Sequence, residues 1–269
     1  MSSKTSQPST SNQPAVLLEN VSIHYKINTG RGQSFKGFII DLINRKVQTS
    51  FVKALDDISL TIYTGEIFGI IGRNGAGKST MLKAISRIIA PTRGRIRVWG
   101  QVAPLLGVGV GFEAELSGRE NIFLYSALLG RSERHTRKLF DSIVDFAELS
   151  DFIDQPFRTY SSGMKARLGF AVAMAEIPEI FVVDEVLGVG DEMFRAKCQD
   201  RFEEFKRSGA TIVIVSHSAD QIMKTCSRAM WLLDGQVSMV DKTPTVIKAY
   251  REYFRNLRNM PTTIRKKDN

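Results

Sequence analysis

The chain has 269 residues, 43% of them hydrophobic, enough for one large domain or two small ones with a full core. Its two cysteines, Cys198 and Cys226, have no C-x-x-C spacing, which excludes a disulfide framework or a zinc cluster and fits a reducing, cytosolic compartment. No apolar run approaches the ~20 residues of a membrane-spanning helix and the polar N-terminus lacks a signal core, so the chain reads as soluble. Lysines and arginines number 37 against 28 acids, a net charge of +9; that suits nucleic acid, an anionic membrane face or a phosphorylated ligand, and equally well plain solubility.

Residues 1–15, rich in Ser, Thr, Gln, Asn and Pro, predict a disordered tail. Val16 to Tyr25 reads as a strand with a turn inside it; Tyr25, near its end, is a core aromatic or, as a second reading, a platform for a nucleotide base. From 26 to 52, Lys26, Arg31, Lys36, Arg45 and Lys46 face one acid, Asp41, and Phe35, Phe38, Ile39, Leu42, Ile43 and Val47 recur at helical spacing. This predicts a basic amphipathic helix over about 34–47, suited to a membrane surface or a partner. Ala54 to Tyr63 predicts a second strand, with a turn at Asp56-Asp57.

The next stretch carries the most chemistry. Gly72-Arg73-Asn74-Gly75-Ala76-Gly77-Lys78-Ser79-Thr80 fits G-x-x-x-x-G-K-[ST], the phosphate-binding loop. Ile67 to Ile71 ahead of it reads as a buried strand, and Met81, Leu82, Ala84, Ile85, Ile88 and Ile89 follow at helical spacing. The glycines let successive N–H groups point at a phosphate, and the helix N-terminus adds roughly half a positive charge. Lys78 would reach the β- and γ-phosphates and Ser79 would ligate Mg²⁺. Arg95 to Trp99 predicts a strand. Gly107 to Phe112 reads as a joint between two lobes, and 117–177 as mainly helical. Ile180-Phe181-Val182-Val183-Asp184-Glu185 is an apolar strand ending in two acids: Asp184 placed for Mg²⁺ through water, Glu185 for the attacking water. A helix carrying Phe194, Cys198, Phe202 and Phe205 follows. Ala210 to Ser216 is another buried strand, placing His217 at its C-terminal end, where ligands bind in open α/β sheets. Asp234-Gly235 turns a hairpin, and Thr243 to about Leu257 reads as a helix.

The ordered set resembles the ABC-type ATPases over roughly residues 16–250. Tyr160-Ser161-Ser162-Gly163-Met164 looks like their signature, Asp184-Glu185 like their Walker B acids, Val189-Gly190-Asp191 like their D-loop and His217 like their switch histidine. The resemblance implies an α/β P-loop NTPase of ABC type: a mixed sheet core, an antiparallel β subdomain and an α-helical subdomain at about 104–177, with 251–269 as the C-terminal helix end and basic tail. It implies a nucleotide site made of Gly72, Asn74, Gly75, Ala76, Gly77, Lys78, Ser79, Thr80 and Tyr25. Mg²⁺ would be held by Ser79 and Asp184, Glu185 and His217 would be catalytic, and Ser161, Ser162 and Gly163 would act on the ATP of a second copy, coupled through Asp191. The basic helix, the Tyr-Ser-Ser-Gly-Met signature and the proline-free stretch after Glu185 look like the ATPase subunits of polysaccharide exporters. They imply a homodimer at the cytoplasmic face of the inner membrane beneath two permease subunits. Lipid-linked polysaccharide, O-antigen first, then capsule or teichoic acid, would be handled indirectly, with no nucleic acid partner. An ABC ATPase acting on nucleic acid or ribosomes is the reading from another class; one phosphate loop and one signature in the chain weigh against it. No residue clearly matches the glutamine that usually links the two lobes, and Gln101 falls too early.

Overall fold

The computed structural model describes residues 13–28, 49–105, 111–184 and 191–259. The expected tail up to residue 12, the basic helix at 34–47, most of the joint at 107–112, Glu185 and the segment to Gly190, and the tail beyond 259 lie outside them.

Two long strands, β1 (Pro14–Asn28) and β2 (Thr49–Tyr63), pair antiparallel, and β4 (Arg93–Val98) joins β1 on its other side. The Asp56-Asp57 turn is absorbed within β2 as an irregularity in the ladder. Asn20 and Asp57 adopt left-handed φ of 49° and 55°, and their side chains bond at 3.0 Å. Short polar residues tolerate this region, so the pair bends the ladder without ending it.

The second sheet has six strands in the order β5-β6-β7-β3-β8-β9: β5 (Val102–Leu105), β6 (Ile180–Asp184), β7 (Thr211–Ser216), β3 (Ile67–Ile71), β8 (Arg228–Leu233) and β9 (Gln236–Lys242). All pairs are parallel except the β8–β9 hairpin. β5 escapes a periodicity reading, being four residues with a proline; at a sheet edge that proline is tolerated. Helix α1 (Lys78–Ile85) follows β3 and stops earlier than the Ile88-Ile89 spacing suggests, because Arg87 turns left-handed at φ 59° and Ile88 emerges 53% exposed.

Three apolar clusters hold these layers. One lies between the antiparallel sheet, α1 and the mixed sheet, with Leu18, Ile58, Met81 and Phe68 fully buried. On the other face of the mixed sheet, α5 (Glu192–Arg207) buries Phe194, Cys198, Phe202 and Phe205, beside α6 (Ala219–Thr225) and α7 (Thr243–Asn259). A third cluster fills a helical lobe of α2 (Gly118–Leu128), α3 (Glu133–Ala147) and α4 (Ser162–Ala173) around Ile122, Leu168 and Val172. Helix α2 opens with a capping box: Ser117 accepts from the Glu120 N–H, and Glu120 accepts from the Ser117 N–H. Buried Asn121 ties the entry, donating to the Glu113, Leu116 and Ser117 carbonyls.

Candidate nucleotide-binding site

The phosphate loop leaves the C-terminal end of β3 and enters α1. A Cβ at Gly72 would stand 2.5 Å from the Leu232 carbonyl oxygen, so only glycine lets β3 turn away here. Gly77, the N-cap of α1, has φ 101° and supplies no side-chain cap; no acid sits in the first turn. A helix N-terminus with no side-chain cap from Gly77 and no acid in its first turn is an arrangement fitted to an anion. Lys78, 8% exposed, donates from Nζ to the Gly72 and Arg73 carbonyls at 2.9 and 3.0 Å. This buried ammonium, held by two loop carbonyls beside the helix N-terminus, matches a phosphate group in charge. The Asp-Gly turn of the β8–β9 hairpin braces the loop: the Gly235 N–H donates to the Ala76 carbonyl at 3.1 Å, and the Gly235 carbonyl accepts from the Asp56 N–H.

Strand register gathers the other groups at this end of the sheet. Ile71 pairs with Ser216 and Asp184 with Val215, so β3, β7 and β6 end side by side. Asp184 Oδ2 accepts from the Ser79 hydroxyl at 3.4 Å; a carboxylate and a hydroxyl at this place form a hard-oxygen pair suited to Mg²⁺. His217, exposed, follows Ser216 in a turn fixed by the Ser216 hydroxyl, which accepts from the Ser218 N–H and donates to Gln221 Oε1. Tyr25, 40% exposed, brings its hydroxyl within 3.5 Å of Thr80 Oγ1, so β1 delivers it beside the loop rather than into the core. Asn74 and Gly75 stand exposed at the loop's tip.

Ser161 to Gly163 lie apart from this constellation, at the start of α4 in the helical lobe. Ser161 caps α4, its hydroxyl oxygen accepting from the Met164 N–H at 3.1 Å, which leaves its own proton to donate. Ser161 and Ser162 are exposed, and nothing but the Ser161 hydroxyl would meet a Cβ at Gly163. Tyr160 anchors the turn ahead: its hydroxyl donates to the Phe152 carbonyl at 2.7 Å, and burial raises its pKa to about 12, so it stays protonated as a donor.

The family model described as ABC transporter matches residues 55–188. An "O-antigen export system ATP-binding protein RfbB" of Klebsiella pneumoniae is 38% identical over 245 residues, covering 89% of this chain and 98% of that protein. The protein of the same name from Myxococcus xanthus is 43% identical over 243 residues, 88% of this chain, which spans 56% of that longer protein. A "Teichoic acids export ATP-binding protein TagH" of Listeria monocytogenes is 38% identical over 252 residues, covering 94% of this chain and 74% of that protein. Among solved structures, a dimeric post-hydrolysis state of the ATP-binding cassette MJ0796, bound to ADP and Pi, superposes with a TM-score of 0.65 at 24% identity, covering 85% of this chain and 98% of that one. The chain belongs to the ATP-binding subunits of ABC transporters. It is an ABC-type ATPase.

Within this ATPase, Asp191 caps α5, accepting from the Phe194 N–H at 2.9 Å, and pairs with Arg167 of α4. The backbone bond to Phe194 leads in holding its carboxyl below the usual range, and Arg167 adds to it. Arg167 also bonds Glu148, just past α3, so one arginine of α4 joins the end of α3 to the start of α5. Sequence spacing gave no signal for that role, because its partners lie 19 and 24 residues away in irregular segments. Gln101 donates to the Leu129 carbonyl at 2.7 Å, and its N–H bonds Glu179, just ahead of β6. It therefore stands where β5 and β6 begin, the opposite end of the sheet from the phosphate loop. Among the described residues, no helix is long and apolar enough to cross a membrane.

Proposed function

We propose that this ATPase powers export of a lipid-linked polysaccharide, O-antigen in the first place, as a homodimer at the cytoplasmic face of the membrane beneath two membrane-spanning permease subunits. The observation that carries this reading is the 38% identity to an O-antigen export subunit along 98% of its length. The teichoic acid relative, matched over 94% of this chain, makes a teichoic acid or capsular chain the second reading.

In this mechanism the loop's N–H groups and Lys78 hold the phosphates, and Tyr25 stacks on the base. Mg²⁺ held at Ser79 and, through water, at Asp184 would neutralise charge on the β- and γ-phosphates. Glu185, next after Asp184, orients the attacking water and takes its proton, while His217 hydrogen-bonds the γ-phosphate. Ser161, Ser162 and Gly163 of a second copy close the site, with the free Ser161 proton and the α4 N-terminus aimed at the γ-phosphate. Asp191 couples the two sites. The basic helix at 34–47 faces the membrane or the permease.

Deletion of the gene, followed by mass spectrometry of cell extracts, tests the reading. A lipid-linked glycan should accumulate inside the cell and clear when the wild-type gene, but not Lys78→Ala, is restored. A deletion strain with no such glycan would sink the export reading, and the sugar composition separates O-antigen from teichoic acid.

A further inference from the structure

Helix α7 reaches the phosphate loop. Its aromatic stripe closes round Trp231, with the rings of Tyr250, Tyr253 and Phe254 centred 5.8, 5.0 and 6.4 Å away. Trp231 is in register with Ile71, the last residue before the loop, so this cluster stands beside the loop's first turn. From the loop, the Arg73 guanidinium lies 5.8 Å from the centre of the Phe254 ring, within cation–π range. The carbonyl of the same Arg73 is one of those that hold Lys78 Nζ. A second tether runs from Arg251 Nη2 to Asp220 Oδ1 at 2.7 Å, in the first turn of α6. That helix begins two residues after His217, so α7 grips both segments that flank the γ-phosphate position.

We infer that Phe254 and Arg73 form a positioning pair through which α7 sets the phosphate loop, and with it Lys78, for nucleotide. Neither is a catalytic residue; each acts through the backbone that carries Lys78. The sequence motif leaves the residue after Gly72 open, and arginine there gives the loop a handle that α7 can hold. The inference rests on the loop being the nucleotide site.

The test measures affinity of the purified full chain for a fluorescent ATP analogue, alongside thermal unfolding. Phe254→Ala should weaken binding about 2- to 5-fold, the scale of an exposed cation–π contact. Phe254→Trp, which keeps a ring face, should restore it. Arg73→Ala should weaken binding to the same extent, and the Phe254→Ala, Arg73→Ala double variant should be no weaker than either single one. A purely structural role for Phe254 predicts a lower unfolding temperature and additive effects instead. Wild-type affinity in Arg73→Ala, additivity in the double variant, or failure of Phe254→Trp to rescue would each overturn the pairing. Should Phe254→Ala not fold, Arg73→Ala on the exposed loop and Phe254→Trp still decide. A wild-type chain that binds no analogue, or Lys78→Ala binding as the wild type does, would instead count against the loop as the nucleotide site.

Discussion

The glycines of the phosphate loop differ in what they avoid. Gly75 and Gly77 both sit at positive φ, 84° and 101°, a region that costs an L-residue roughly 1–2 kcal/mol. A Cβ on Gly75 would meet nothing within 4 Å, whereas one on Gly77 would stand 2.4 Å from the Ala54 carbonyl oxygen and 2.9 Å from Leu55. Gly75→Ala should therefore lose only that conformational term. Gly77→Ala should lose it plus an overpacking cost of about 1–3 kcal/mol, since the obstacle is backbone of β2. Chemical denaturation of both variants checks the order; equal losses would mean that β2 yields freely and does not buttress the loop. The loop itself was legible in the sequence because its chemistry is local: nine consecutive residues between a strand and a helix. Its bracing was not. Gly235, which donates to Ala76, and Phe254, which lies under Arg73, are brought there by strand order, and no local pattern announces either.

Helix α4 shows the same division at the scale of an element. Tyr160-Ser161-Ser162-Gly163 could be read as a signature, and the fold adds how its first serine works. The Ser161 oxygen caps the helix, and its proton remains for another acceptor. Cap and catalysis can then be separated. Ser161→Ala should remove the cap, at a cost of about 1 kcal/mol, and the hydroxyl donor together. Ser161→Asp keeps a good cap and should preserve stability, yet it places a negative charge where the second copy's γ-phosphate is proposed to lie. ATP-dependent dimerisation, followed by size-exclusion chromatography in a Glu185→Gln background, should be lost in Ser161→Asp while its unfolding temperature holds. Dimerisation at the wild-type level in that variant would place the signature away from the second copy's nucleotide. The strands were less evenly legible: β6 and β7 are continuous apolar runs, as fully covered strands must be, while β5, short and interrupted by Pro104, is defined only by its pairing with β6.

Across the whole molecule, the helical lobe and the sheet core meet through carboxylates. Glu148, in a left-handed turn at the end of α3, binds Lys197 of α5 and Arg167 of α4, and Asp191 binds Arg167 from the start of α5. Lys197 leads in holding the Glu148 carboxyl below its ordinary range, with Arg167 adding to it; Asp191 is held down first by the Phe194 N–H. Both folded-state values are depressed, so the stability these groups give is fully present above their unfolded values, near pH 4. It is lost as pH falls through that range and then through the lower folded values. All four side chains are at least 20% exposed, and salt will screen them. Denaturation midpoints should therefore be insensitive to these groups from pH 7 to about 5.5 and fall below about pH 4, less steeply in Glu148→Gln, Asp191→Asn, which keeps an asparagine cap on α5. An acid limb of unchanged slope in that double variant would show that the junction is held by the apolar contacts of Phe146, Phe170 and Phe194, whose rings meet at 5.6 to 6.2 Å, and that the ions contribute nothing measurable to it.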